Sequence, residues 1–209
     1  DYDGNLTDRE YQLMAFYTGP LQSTGVAQYN RSRTLYGGKL FNLNQYILHG
    51  EIKPSGGMSF SFLALAGDDI DYTNVRKSGS LLFMPMAELS LGRHFNINLR
   101  HSLQRLSFQG NQVFLVNLSQ VRLIYNFNVR TFVRAIVQYM NLDQNPAMYS
   151  FPVDLNTQTV FTQFLFSYKL NPQTVLFLGY SDNYLGLTGF TTTQTNRTFF
   201  VKIGYAWLR

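Results

Sequence analysis

Hydrophobic and polar side chains alternate along much of the chain with a period of two residues. From position 129 to 139 the odd positions are mostly apolar, whereas the even positions include Arg130, Arg134 and Gln138. Residues 121–127 show the same alternation. A period of two is that of a β-strand, whose successive side chains point to opposite faces of the sheet. The two runs meet at Asn128, so they predict a hairpin with one apolar and one polar face.

About ten such runs are found along the chain, and each is long enough for a tilted strand to cross the hydrocarbon core of a bilayer. The pattern predicts an all-β fold, a transmembrane antiparallel up-and-down β-barrel of about ten strands. Residues 1–209 would form one domain, either a complete small barrel or the C-terminal part of a larger one. The predicted strands lie near 9–18, 39–52, 57–68, 80–93, 95–108, 112–127, 129–141, 158–170, 173–183 and 197–208.

The predicted connections alternate in length. Short turns are expected at 53–56, around His94, at Asn128 and at 171–173. Longer polar loops are expected at 19–38, 68–79, 142–157 and 184–196, with Gly110-Asn111 as a tight exception. Short periplasmic turns and long external loops are typical of the bacterial outer membrane. With an even number of strands, both termini would be periplasmic.

Composition supports this interpretation and excludes other classes of protein. The chain has no cysteine, so disulfides, thiol chemistry and cysteine-based zinc sites are excluded. Charged residues make up only 14% of the sequence and aromatic residues 16%. The net charge of +5 is dispersed along the chain, which does not favour nucleic-acid binding. No cofactor is predicted.

Aromatic residues near the ends of the runs predict the girdles that flank the lipid-facing band of a barrel. The alternative is an ordinary aromatic-rich β core. The girdle residues are Tyr125, Phe127, Tyr168, Tyr205 and Trp207 at the periplasmic side, and Tyr139 and Tyr180 near the outer side.

The last strand carries a short motif that resembles the C-terminal signal read by the bacterial barrel-assembly machinery. Lys202, Gly204 and Trp207 occupy the polar, glycine and aromatic positions of that signal. Arg209 occupies a position that is usually apolar. The resemblance implies that this machinery is a partner during biogenesis.

Segments 133–139, 164–172 and 197–205 also resemble the barrel end of certain bacterial outer-membrane proteins. Those proteins carry an N-terminal domain similar to carbohydrate-binding family nine, followed by a large barrel of unknown function. The resemblance covers only the C-terminal part of this chain. The resemblance implies a fragment of a longer polypeptide, and it adds a saccharide to the candidate solutes.

Strand pairing predicts a charged row across the polar face. Hairpins centred on His94, Asn111 and Asn128 would place Glu88 opposite Arg100, Arg100 opposite Arg122, and Arg122 opposite Arg134. Gln138 and Lys202 are further polar candidates for the lumen. Neighbouring arginines need water, carboxylates or bound anions to screen them. The row is therefore either an anion-favouring constriction or part of a polar network that plugs the lumen.

Three functions follow from this sequence. The first is a passive channel or translocation component that passes a small anion or saccharide. The second is a structural or anchoring barrel with a plugged lumen, bound to other outer-membrane subunits. The third is a barrel hydrolase, but His49, His94 and His101 are poorly placed for it, so no enzyme is expected. Metal binding is not expected either, the weak candidate being a calcium site at Asp68, Asp69 and Asp71.

Overall fold

The protein forms a single antiparallel sheet in which each strand pairs with the next one along the chain. The computed structural model describes residues 7–171, 173–187 and 192–206. Within these residues no helix is long and apolar enough to cross a membrane. A short 3-10 helix, Pro146–Met148, lies within the connection 145–155. The eleven strands are β1 Asp8–Gly19, β2 Ser23–Tyr36, β3 Lys39–Ser55, β4 Met58–Asp71, β5 Arg76–Leu91, β6 Phe95–Phe108, β7 Asn111–Asn128, β8 Thr131–Gln144, β9 Asn156–Asn171, β10 Thr174–Leu187 and β11 Thr193–Tyr205.

The sheet has two chemically different faces, as the alternation predicts. Residues directly opposite one another on paired strands share a face, so the pairing traces each face across the sheet. One face carries Leu99, Val121 and Val137 in a row, and we call it the apolar face. The other carries Arg100, Gln120 and Gln138 in a row, and we call it the polar face. Leu99, Val121 and Val137 are all exposed, as expected for side chains that face lipid.

Strand β2 corrects the predicted number of strands. Residues 19–38 were expected to form a long loop, but Ser23–Tyr36 pairs with β1 on one side and β3 on the other. Its alternation is weak because both faces hold polar groups, with Gln28 and Asn30 on one face and Arg31 and Arg33 on the other. The chain therefore has eleven described strands instead of ten.

The odd strand count removes the basis for placing both termini on one side. Each hairpin reverses the chain direction, so β1 and β11 run the same way. The start of β1 and the end of β11 consequently lie at opposite ends of the sheet. In the described part of the chain, these two edge strands pair only with β2 and β10, and closure of the sheet into a barrel is not observed.

The connections differ from the predicted alternation of short and long. We call one end of the sheet the turn end. Its connections include residues 20–22, 56–57, 92–94 and 129–130. At the other end, the loop end, residues 37–38, 72–75 and 109–110 also form short connections, and 145–155 is a longer one. The predicted loop 142–157 is confirmed in outline, whereas 68–79 and 184–196 were predicted too long. Strands β4, β5, β10 and β11 extend into those regions.

Turn geometry explains why the predicted register is wrong by two residues. At 109–110, Gln109 has φ 50° and Gly110 has φ 81°, the two positive values of a tight two-residue hairpin. This turn lies one residue before the predicted centre at Asn111. The hairpins expected at His94 and Asn128 are each displaced by one residue as well. When the centre of a hairpin moves by one residue, each residue pairs with a residue two positions away from the predicted one. Because this change is even, every side chain keeps its face.

Gly67 lies where β3 and β4 separate, and this position requires glycine. Its φ is 142°, and a Cβ atom there would lie 2.2 Å from the backbone carbonyl oxygen of Asn44. We expect Gly67→Ala to lower the free energy of unfolding by about 2 kcal/mol or more, since strained backbone and a backbone clash both oppose the side chain. Urea unfolding in lipid bilayers, followed by circular dichroism, measures this. Gly56→Ala is the matched control, because open space surrounds Gly56, and an equal loss in both variants would contradict the argument.

Candidate functional site

Three arginines lie on the polar face of three adjacent strands. Arg100 is on β6, Arg122 on β7 and Arg134 on β8. They are not directly opposite one another as predicted: Arg100 is opposite Gln120, and Arg122 is opposite Ile136. Each arginine is displaced by two residues from the next, so the predicted row is a diagonal. Diagonal neighbours on one face lie about 7–8 Å apart at Cα, within reach of long side chains. We call this set the arginine diagonal.

Glu88 does not pair with Arg100 as predicted. It lies opposite Asn98, and its Oε1 accepts a hydrogen bond of 2.7 Å from Asn98 Nδ2. Within the ranges that the structure describes, no carboxylate lies within ion-pairing distance of the arginine diagonal. The described residues therefore form no ion pair with the diagonal, although Glu88 lines the same small cavity as Asn98 and Arg122.

Amides supply some hydrogen bonds around the diagonal. Arg134 Nη2 donates to Gln163 Oε1 at 3.0 Å, and Gln120 Nε2 donates to Gln138 Oε1 at 3.1 Å. The Nε atoms of Arg122 and Arg134 are buried and have no protein hydrogen-bond partner. A buried donor without an acceptor is costly, so such groups normally bind water or an ion. The diagonal can thus accept anionic or strongly polar groups.

The other two polar candidates occupy different parts of this face. Gln138 lies beside the diagonal through its contact with Gln120. Lys202 lies on β11 opposite Phe177, so it is separated from the diagonal by β9 and β10. Gly204 is also on β11, whereas Trp207 and Arg209 fall outside the described residues. The assembly signal stays a prediction.

The predicted girdle residues that the structure describes all lie on the apolar face. Tyr125 and Phe127 form an edge-to-face pair with ring centroids 4.9 Å apart near the turn end of β7. Tyr168 and Tyr205 also lie toward the turn end, while Tyr139 is closer to the loop end. Tyr180 donates from its hydroxyl to the Asp182 carboxylate on the same face. Trp207 lies outside the described residues.

The three carboxylates of the weak calcium candidate do not converge. They lie within strand β4 and not in a loop, so Asp69 projects to the opposite face from Asp68 and Asp71 lies further along the strand. Asp68 forms an ion pair of 2.8 Å with Lys77, and Asp71 forms one of 2.8 Å with Arg76. Among the described residues no cluster of three metal-ligating side chains is found.

One histidine contacts a serine, and a serine–histidine pair is one part of a hydrolase site. His101 Nδ1 lies 2.8 Å from Ser119 Oγ on the apolar face, beside a groove of about 910 Å³. The groove is lined by strand residues and not by loops. His94 lies in a turn against the carbonyl of Asn126, and His49 is on the polar face of β3. A single histidine–serine contact at mid-strand lets two polar groups satisfy each other, and it is not the complete set of groups that acyl-transfer chemistry needs.

A second polar cluster was not predicted. Arg76 Nε lies 2.8 Å from Asp71 Oδ2, and Arg76 Nη2 donates to the carbonyl oxygen of Met148 at 3.1 Å. Asn74 Nδ2 donates to the same carbonyl, also at 3.1 Å. These bonds hold the 145–155 loop against the β4–β5 turn, and we call the loop the strap. Asp71 and Arg76 flank a four-residue turn. Opposite charges at that spacing were the one feature of the sequence that could have indicated this ion pair.

The fold belongs to a known structural class. An antiparallel meander with one apolar and one polar face is the strand arrangement found in outer-membrane β-barrel proteins. The chain is similar to outer-membrane expressed OmpT of Vibrio cholerae, with a TM-score of 0.56 and 13% identity, over 94% of this chain and 64% of that chain. In-vitro folded OmpT gives a TM-score of 0.52 and 12% identity over the same shares.

A NanC porin structure is also similar, with a TM-score of 0.45 and 13% identity, over 96% of this chain and 94% of that one. No family model and no curated protein matches the sequence. At these identities the likeness to OmpT concerns the fold alone. This chain spans 64% of the length of OmpT.

Proposed function

We propose that the chain forms the wall of a passive channel in the bacterial outer membrane, with a basic lumen that favours anions. The arginine diagonal carries this proposal. Its three guanidinium groups share one face and have no ion-paired carboxylate among the described residues, and two of its Nε atoms are buried without a partner. Rings of arginine or lysine are the usual lining of anion-selective pores. The apolar face and its aromatic residues support the placement in a membrane.

We also propose that the barrel is larger than these eleven strands. Single-chain outer-membrane barrels of bacteria have an even number of antiparallel strands. Because β1 and β11 run in the same direction, an odd number of further strands between them would complete antiparallel closure. A wider barrel leaves an aqueous channel, whereas a narrow one is filled by its own side chains.

Single-channel conductance in planar bilayers, with the reversal potential under a salt gradient, tests the channel. We expect steady conductance with anion preference in the parent, because the unpaired arginines attract anions. Arg122→Glu should abolish or invert that preference. Arg105→Glu is the matched control, since Arg105 is exposed on the apolar face, opposite Leu81 and Leu115, and the charge change is the same. A silent bilayer despite confirmed insertion would contradict the channel.

A plugged barrel is the second candidate, and the strap favours it. Arg76 and Asn74 hold the 145–155 loop on the face that carries Phe108, since Arg76 lies 4.1 Å from the centroid of the Phe108 ring. A loop held there would narrow the mouth of a closed barrel. Such a barrel would anchor other outer-membrane subunits. A silent parent that conducts once the strap is released would support this alternative.

Partners and solute remain proposals as well. The barrel-assembly machinery would insert the chain, and the proposed C-terminal signal rests on Lys202, Gly204 and Trp207. The solute would be a small anion or an acidic saccharide, because the diagonal offers guanidinium donors that suit carboxylates and phosphates.

A further inference from the structure

Three exposed arginines lie together on the apolar face at the loop end of β1 and β2. Arg9 is directly opposite Arg33, and Arg31 lies two residues from Arg33 on β2, opposite Tyr11. All three side chains are exposed. Like charges directly opposite each other on paired strands are destabilising unless another group screens them. We call these residues the arginine cluster.

Neighbouring carboxylates do not screen the arginine cluster. Asp8 and Glu10 project from the other face of β1, where they accept hydrogen bonds from Thr34 and Gln12. Asp68 is engaged by Lys77 at 2.8 Å and by the backbone N–H of Asn44 at 2.9 Å. In the part of the chain that the structure covers, no ion pair involves the arginine cluster.

An apolar groove of about 450 Å³ lies on the same face, next to the arginine cluster toward the turn end. Four alanines on β1, β2 and β4 leave space between the larger side chains of β1, β2 and β3. Tyr29 lies at the edge of the groove nearest the arginine cluster. Its hydroxyl donates to Asn44 Oδ1 at 2.9 Å, and the centroid of its ring lies 5.2 Å from that of Tyr46. The lining of this face comprises Leu13, Ala15, Ala27, Tyr29, Tyr46, Leu48, Ala64 and Ala66.

We propose that this surface binds a phosphorylated lipid of the leaflet that the loop end faces. The phosphate would lie on the arginine cluster, and an acyl chain would occupy the alanine-lined groove beneath it. Arginine binds phosphate through paired N–H donors, so one phosphate can bridge guanidinium groups from both strands and remove their repulsion. The order from guanidinium through tyrosine hydroxyl to alanine matches the order from phosphate through interface to hydrocarbon in a lipid.

This proposal is independent of whether the barrel conducts, because the surface lies on the opposite face of the sheet from the arginine diagonal. A lipid differs from a free anion because it has both a phosphate and an acyl chain. The guanidinium groups bind the phosphate, and the groove binds the chain. Neither part alone should give the full affinity.

Lipid binding by the detergent-purified protein tests the proposal, with diphosphoryl lipid A as the probe and native mass spectrometry as the measurement. The test variant is Arg9→Gln, Arg31→Gln, Arg33→Gln. The control is Arg93→Gln, Arg130→Gln, Lys169→Gln, which removes the same charge from exposed positions at the turn end. We expect the test variant to raise the apparent Kd about tenfold or more, and the control to change it less than about twofold.

Two further arms separate the possible sources of phosphate. Dephosphorylated lipid A should bind as weakly to the parent as the intact lipid binds to the test variant. Inorganic phosphate should not displace the lipid, and Ala27→Leu, which fills the groove, should weaken binding more than Ala135→Leu on the same face of β8. The proposal would be overturned if both charge variants lost the same affinity for lipid A, or if dephosphorylated lipid A bound as tightly as the intact lipid. Displacement of the lipid by inorganic phosphate alone would also overturn it. If the triple variant does not fold, Arg33→Gln against Arg93→Gln makes the same comparison.

Discussion

Arg76→Met is expected to lower the free energy of unfolding by about 3–5 kcal/mol, because it leaves the buried Asp71 carboxylate without its cation. Asp71 is 3% exposed and lies 2.8 Å from Arg76 Nε. The substitution also removes the donor to the Met148 carbonyl and the contact with the Phe108 ring. The Met148 carbonyl then keeps only the hydrogen bond from Asn74, so the strap should be held less firmly and cleavage within 145–155 by a soluble protease should accelerate. Urea unfolding in bilayers measures the first effect and limited proteolysis the second.

Lys77→Met is the control for this experiment. Lys77 also pairs with a carboxylate at 2.8 Å, but both partners are much more exposed, so the loss should stay below about 1 kcal/mol. The double variant Arg76→Met, Asp71→Asn should recover much of the stability, since it removes the unpaired charge. A loss for Arg76→Met no larger than that for Lys77→Met would show that the strap is not held by this ion pair.

A disulfide is expected to form almost completely between cysteines at positions 120 and 138, and hardly at all between cysteines at 120 and 136. Gln120 is directly opposite Gln138 in the structure, a distance that a disulfide can span. A hairpin centred on Asn128 would instead place Gln120 opposite Ile136. As diagonal neighbours, those two positions lie about 7–8 Å apart, beyond ordinary disulfide geometry.

The chain has no cysteine of its own, so every cross-link would come from the introduced pair. Gln120→Cys is common to both variants, and only the partner position changes. Mild oxidation in bilayers, followed by electrophoresis with and without reductant, measures the yield. The reverse order of yields would place Arg122 directly opposite Arg134 and overturn the diagonal between β7 and β8.

Side-chain periodicity was sufficient to place most strands and to assign their faces. Strands β1 and β3 to β11 each overlap one of the predicted runs, and the described girdle tyrosines lie on the apolar face. The assignment of side chains to faces was correct because every error in register was an even number of residues, and an even shift leaves each side chain on its face. The arginines therefore remained together on the polar face even though their partners changed.

Strand β2 and the ends of several strands could not be predicted in this way. Alternation marks a strand only where one face is apolar, and β2 carries arginines on the same face as Ala27 and Tyr29. The same limit applies to β4 and β5, because the residues of these strands nearest the loop end are charged on both faces. Their extension was recognisable only from backbone pairing.

The sequence by itself determined the class of fold and which side chains share a face, because a period of two residues follows directly from the geometry of an extended chain. Tertiary structure decided which residues are neighbours across strands, since the register depends on the backbone angles of turn residues such as Gln109 and Gly110. It also decided that Arg76 holds the strap and that Arg9, Arg31 and Arg33 converge above a groove. These contacts join residues far apart in sequence, and no local pattern encodes their distances.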